Sequence, residues 1–207
     1  AVLIAEHQTA GRGRQGRTWS ATPRAQISMS VGVSAVDVPV TSWGWLSLAT
    51  GVAVVDAVAA ATGVRAGLKW PNDVLVGGAK LAGILAEVAR PAIVVGLGLN
   101  VTQAPEGVDG ATCLLDLGVA APDRGRLVGT LLRELSLRIG QWRGADPRLA
   151  ADYRTRSLTI GSRVRAHLPG DRQLVGTATG IDDQGRLCLA AEDRTVVVSA
   201  GDVVHLR

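Results

Sequence analysis

The stretch from Ser42 to Thr62, SWGWLSLATGVAVVDAVAAAT, narrows the fold more than any other part of the chain. Its Ala, Val and Leu side chains leave almost no polar face, and a helix that is apolar all round has to be buried. Thr41 or Ser42 is available as N-cap and Gly63 as the C-terminal stop. The apolar run Leu46 to Ala61 is broken by Thr50, Gly51 and Asp56, and a membrane span needs roughly 20 apolar residues. A core helix is therefore expected, and no membrane partner.

The segments around this helix read as sheet. Val2 to Ala5 and Gln26 to Val33 are strand-like, as are Leu68 to Trp70, Val74 to Val76, Leu81 to Val88 and Ala92 to Leu97, with a hairpin signal at Gly77-Gly78. Asp123 is placed to cap a helix in which Leu127, Leu131 and Leu135 recur beside Val128, Leu132 and Ile139, with Trp142 closing the apolar face. A shorter helix is expected from Pro147 to about Arg156. The predicted class is α+β, a mixed sheet flanked by helices.

From Ser157 the texture changes to short β-type runs, 163–168, 174–181, 187–190, 195–198 and 203–206, separated by the turns PGD, DDQG and AGD. Strands this short, at intervals of about ten residues, are the mark of a small sandwich or barrel. Two domains are expected, 1–158 and 159–207.

Cys113 and Cys188 are far apart and fit no zinc or redox spacing, which predicts a reducing, cytoplasmic setting. The opening AVLIAEHQ has no leader pattern and reads as a strand entered midway, so further N-terminal sequence is expected. The formal charge of +4 permits a polyanionic partner, and the placement of the cations then matters more than their sum. Gly11, Gly13 and Gly16 satisfy G-x-G-x-x-G after a strand. The next residues, RTWSATP, do not open a helix, so the dinucleotide reading fails. There is no Gly-Lys-Ser/Thr for a Walker loop. The pattern that remains is a loop whose glycines let backbone N–H groups approach a ligand, interleaved with Arg12, Arg14 and Arg17, whose forks suit carboxylate and phosphate oxygens. The alternative is a solvated basic surface loop.

Of 22 Lys and Arg residues only Lys69 and Lys80 are lysine, and both fall within LKWPNDVLVGGAKLAGIL. In a chain that otherwise uses arginine, a retained ammonium suggests a site where a compact point charge and a planar fork are not interchangeable.

Taken together and in order, EHQTAGRGRQGRTW, KWPND, KLAGIL and GLGLN closely resemble the catalytic domain of the biotin-protein ligases. The resemblance implies a core akin to that of class II aminoacyl-tRNA synthetases and a C-terminal SH3-like barrel. It also implies formation of biotinyl-5′-AMP from biotin and ATP with Mg²⁺, then transfer to a lysine of a biotin carboxyl carrier protein. Carried over residue by residue, it puts Gln8, Gly11, Arg12, Gly13 and Arg14 around biotin and its adenylate. Trp19 falls near adenine, and Lys80, with Arg14, is the catalytic contact. Lys69, Asn72 and Asp73 face ATP, helped by Arg12, Arg14 and Arg17 on the phosphates; Asp73 is the candidate metal ligand. Gly83, Leu85, Gly96 and Gly98 line the pocket for the fused rings, with Asn100 at the end of the same strand on the nucleotide side. The family's Ser-Thr-Asn segment does not occur in the chain, and some members carry an N-terminal helix-turn-helix repressor.

The chemistry gives a reason for the ammonium. A carboxylate must approach the α-phosphate, and two unit charges at about 4 Å repel by about 4 kcal/mol at an effective dielectric of 20. A cation between them offsets that term. The same steps would serve a lipoate-protein ligase, but GRGRQG and KWPND followed by KLAGIL favour biotin. A nucleic-acid module is the reading of another class. Against it, the chain has no Phe and only 3% aromatic residues, leaving little for base stacking.

Overall fold

The computed structural model describes residues 1–168, 170, 172–192, 194–199 and 201–206. Among the described residues the chain forms two antiparallel sheets and three α-helices. The first sheet is built from β1 (Val2–Ala5), β2 (Gln26–Ser34), β3 (Gly67–Lys69), β4 (Asp73–Val76), β5 (Ala79–Ala89) and β6 (Ala92–Asn100), in the order β1-β2-β6-β5-β4-β3. Every ladder in it is antiparallel, so the expected mixed sheet is corrected. The reason is topological: β4 to β5 and β5 to β6 are tight hairpins, and the long crossover from β2 carries the chain past its neighbours to the far edge. No two of these strands pair in parallel.

That crossover is α1 (Trp45–Thr62). Leu46, Ala49, Val52, Ala57 and Val58 are wholly or almost wholly buried in it, as expected of a helix with no polar face. By length and apolarity the helical stretch Val40–Thr62 is sufficient for a bilayer, which corrects the sequence-based count; 67% of its most apolar window is buried inside the protein. Its start also differs. Thr41 and Ser42 lie in a 3-10 turn, Val40–Ser42, and the N-cap is Gly44 without a side-chain bond. Gly63 ends the helix in the left-handed region, φ 77°, as the stop signal requires.

Asp56, an interruption in the apolar run, is where α1 is tied to α2 (Arg124–Arg143) and α3 (Pro147–Arg156). The buried Arg138 guanidinium bonds Asp56 at 2.6 Å and also Asp152, and Arg156 reaches Asp56 at 2.7 Å. Such a network is costly to break, because removing one partner strands a buried charge. Asp123 caps α2 through the Arg126 N–H, and Leu127, Leu131, Leu135 and Trp142 are its buried face.

The second sheet, in the order β10-β9-β8-β7-β11, comprises β7 (Arg163–Leu168), β8 (Arg172–Ile181), β9 (Leu187–Ala191), β10 (Arg194–Val198) and β11 (Asp202–His205). Of the turns expected here, DDQG is observed; Pro169 and Asp171 of PGD and Ala200 of AGD lie outside the described residues. Indoles hold the two sheets together. Trp45 Nε1 donates to the Asp182 carbonyl at 3.0 Å and Trp70 Nε1 to the Gly185 carbonyl at 3.1 Å.

Candidate active site

Between β1 and β2 the arginine and glycine loop doubles back on itself. The Trp19 N–H donates to the Gly11 carbonyl at 2.9 Å, Arg12 bridges Thr18, and the Gly13 N–H donates to the Arg17 carbonyl at 2.7 Å. Two glycines are needed for it. A β-carbon at Gly11 would collide with the Trp19 carbonyl oxygen, and Gly16 sits at φ 73°. The three arginines diverge. Arg12 pairs with Glu87 of β5 at 2.9 Å, and Arg17 pairs with Asp202 of β11 at 2.6 Å. Arg14 reaches the Asn72 side-chain oxygen and the Gly201 carbonyl, each at 3.4 Å. Burial, chiefly, draws the Arg14 guanidinium below its ordinary value, with Asp202 opposing and Arg17 reinforcing that shift. It stays charged at neutral pH.

Beneath the loop lie two adjoining cavities. The first, about 310 Å³, is lined by Gln8, Arg12, Trp19, Lys80, Gly83, Leu85, Glu87, Gly96 and Gly98, among others. The second, about 350 Å³, takes Arg14, Arg17, Trp19, Lys69, Asn72, Asp73, Lys80 and Asn100, together with Asp202 and Val203 of the second sheet. Trp19, Asn72 and Lys80 line both. The indole packs closely on β5 and β6: a β-carbon at Gly83 would come within 2.8 Å of the ring, and one at Gly98 would collide with it. These glycines therefore serve as a floor for Trp19.

Lys80 is presented from the start of β5. Its backbone N–H donates to the Gly110 carbonyl at 2.7 Å, and its carbonyl accepts from the Thr112 N–H at 2.9 Å. The ammonium lies 2.5 Å from Asp73 Oδ1 and 5.5 Å from the centre of a Trp19 ring. The Asp73 contact is charge on charge, without hydrogen-bond alignment, and Oδ1 has no hydrogen-bond partner. Asn100, which is 1% exposed, donates to the Thr112 carbonyl at 2.9 Å while its own oxygen is unpartnered.

Of the residues singled out from sequence for biotin, Gln8, Arg12, Lys80, Gly83, Leu85, Gly96 and Gly98 share the first cavity. Gly11 forms the neck of the loop behind it. Gly13 and Arg14 face a third cleft of about 430 Å³ on the outer side of the loop. Of those singled out for ATP, all except Arg12 meet in the second cavity. Among the residues not singled out are Glu87 and Asp202 at the cavity walls and Gln26 behind them.

Residues 1–101 match the family described as biotin/lipoate A/B protein ligase, and residues 159–206 match the biotin protein ligase C-terminal domain. A biotin or lipoate ligase is the class this fold and loop define. The chain is 71% identical to the biotin (acetyl-CoA-carboxylase) ligase of Mycobacterium tuberculosis, across 100% of its own length and 79% of that protein. It is 32% identical to the bifunctional ligase/repressor BirA of Escherichia coli, across 100% of its own length and 66% of BirA. Among solved structures, the Aquifex aeolicus biotin protein ligase in complex with biotin and ATP superposes with a TM-score of 0.87 at 26% identity, covering 100% of this chain and 88% of that one. The chain belongs to the biotin protein ligase family.

Proposed function

We propose that this chain activates biotin with ATP and passes the biotinyl group to a lysine of a biotin carboxyl carrier protein. The observation that carries this reading is Lys80, whose ammonium is shared by two adjoining cavities of a size for an acid and a nucleotide. In the first half-reaction a biotin carboxylate oxygen attacks the α-phosphorus and the bond to the bridging oxygen breaks, so pyrophosphate leaves. Lys80 stands between the two anions, moving from Asp73 to the substrate oxygens. Arg14 and Arg17 hold phosphate oxygens, and Arg12 closes the acid side against Glu87. In the second half-reaction the carrier's amine attacks the acyl carbon, AMP leaves, and the amine's proton goes to solvent or to a nearby carboxylate.

ATP enters as its magnesium complex. Among the described residues no group of three His, Cys, Asp or Glu side chains comes together. The residues present fit an ion carried by the phosphates and steadied by one carboxylate, Asp73, which is how Mg²⁺ is commonly held. When bound it would neutralise charge on the leaving pyrophosphate.

The six-stranded sheet with its helices fits a core of the class II aminoacyl-tRNA synthetase kind, and the five-stranded sheet fits an SH3-like barrel. A division into 1–158 and 159–207 accords with the change of sheet. Cys113 and Cys188 are free thiols, in keeping with a reducing, cytoplasmic setting.

Pyrophosphate–ATP exchange tests the reading. Exchange stimulated by biotin and not by lipoate supports it; stimulation by lipoate alone, or by neither acid, overturns it. The loop supplies a second test: closing over the bound acid as a lid, it would shield the mixed anhydride from water and stray amines. Arg14→Gly should release adenylate and label bystander proteins; labelling confined to the carrier would remove the lid from the account.

A further inference from the structure

Gln26 opens β2 and is 3% exposed, an uncommon place for a primary amide. Both ends of the amide are used. Its Oε1 accepts from the Trp19 indole N–H at 3.1 Å, and its Nε2 donates to the Ser20 carbonyl at 3.3 Å. One side chain therefore grips two consecutive residues, at the point where the arginine loop rejoins the body of the protein. The grip has a definite object. Trp19 is one of the three residues common to both cavities, lies on the glycine floor of β5 and β6, and carries the Lys80 ammonium 5.5 Å from a ring centre.

Packing on the floor fixes the plane of the indole and leaves it free to slide or rotate within that plane. A hydrogen bond at Nε1 removes that freedom. With Asn72 and Lys80 the ring lines both cavities, so a displaced ring changes the boundary they share. The indole face is also an electrostatic partner for the ammonium, so a displaced ring would leave Lys80 with Asp73 alone.

We infer that Gln26 is a positioning residue for the adenylation reaction: it holds Trp19 in the wall shared by the acid and nucleotide cavities and, through Trp19, holds the Lys80 ammonium where both substrates meet. The inference deepens the ligase reading and depends on it for its kinetic part. Its structural part is independent.

The experiment is a double-mutant cycle of Gln26→Leu and Trp19→Phe. Leucine fills a similar volume without an acceptor, and phenylalanine keeps a ring without the N–H. Loss of a hydrogen bond to a buried group predicts that Gln26→Leu alone lowers kcat for biotin-dependent pyrophosphate exchange roughly tenfold. In the Trp19→Phe background the same change should cost less than about twofold, because the bond to the indole is already gone and only the Ser20 contact remains to be lost. A merely structural role would give equal factors in both backgrounds, and that result overturns the inference.

A second readout needs no activity. The fluorescence of Trp19, taken as wild type minus Trp19→Phe, should become more accessible to acrylamide in ligand-free Gln26→Leu with the melting temperature held within a few degrees. Unchanged quenching in a folded variant contradicts the clamp. Should wild type show no biotin-dependent exchange while the quenching result holds, the ligase reading fails and the clamp stands.

Discussion

The two cavities flanking Trp19 are built in different ways. The first cavity, proposed for the acid, comes from the first sheet and its own loop: the loop before β2, and the β5–β6 hairpin with its glycine floor. The nucleotide cavity borrows a wall from β11, with Asp202 and Val203 joining Lys69, Asn72 and Asp73 from far earlier in sequence. On the proposed assignment, recognition of the acid is a property of one sheet, whereas recognition of the nucleotide depends on how two sheets meet. Perturbing the shared wall should damage both substrates' use, and perturbing the junction should damage only one.

The largest break in that comparison comes from Gly98→Ala. The added methyl collides with the indole, so the ring must leave the floor and both cavities change shape. Exchange should fall about 100-fold, the scale of losing a preorganised contact to the reacting centre. Overpacking should lower stability by about 1–3 kcal/mol. Initial rates with each substrate varied, together with thermal unfolding, check it; loss confined to one substrate's KM would mean that Trp19 is not a shared wall.

A smaller, one-sided effect is expected from Asp202→Asn. The Arg17–Asp202 pair is substantially exposed, 59% and 32% by side chain, so its contribution to stability is below about 1 kcal/mol. Removing a carboxylate beside a polyphosphate should lower the KM for ATP about threefold and leave that for biotin unchanged. Equal shifts in both constants would erase the distinction between the cavities.

The smallest effect is set by pH. His205 ends β11 and lies 3.0 Å from the Thr159 hydroxyl, which accepts from the Trp70 N–H of KWPND. Burial, and secondarily Lys69, hold its imidazole below the ordinary histidine value. A depressed folded value means that the unfolded chain binds the proton first. The stabilisation is therefore complete above about pH 6.5 and is lost as pH falls from there through the folded value. Acidification from 7.5 to 5.5 should raise the KM for ATP more than that for biotin, by about twofold. His205→Gln should flatten the difference. A pH profile unaltered by that change would remove His205 from the junction.

The same division marks what sequence could foresee. β1, α3 and β7 were legible to the residue because each is bounded by local signals, such as Pro147 at the first helical position. The start of α1 was not, since a 3-10 turn delivers the chain to Gly44 and leaves Thr41 and Ser42 without the capping role their side chains suggest. The antiparallel order of the sheet was hidden because periodicity reports which face a residue occupies and not which strand lies beside it. In the site, the loop arginines, Lys80 and the glycines were legible through composition and motif. Asp202 was not, since it reaches Arg17 across 185 positions, and Gln26 was not, since alternation placed it among solvent-facing polar residues.

The central claim is that one compact ammonium lies between two anionic substrates, and the rate of biotin-dependent pyrophosphate exchange by Lys80→Arg tests it most directly. Arginine keeps the charge and changes its shape, so at saturating biotin and ATP the rate should fall roughly 100- to 1000-fold. A rate within about threefold of wild type would contradict the account.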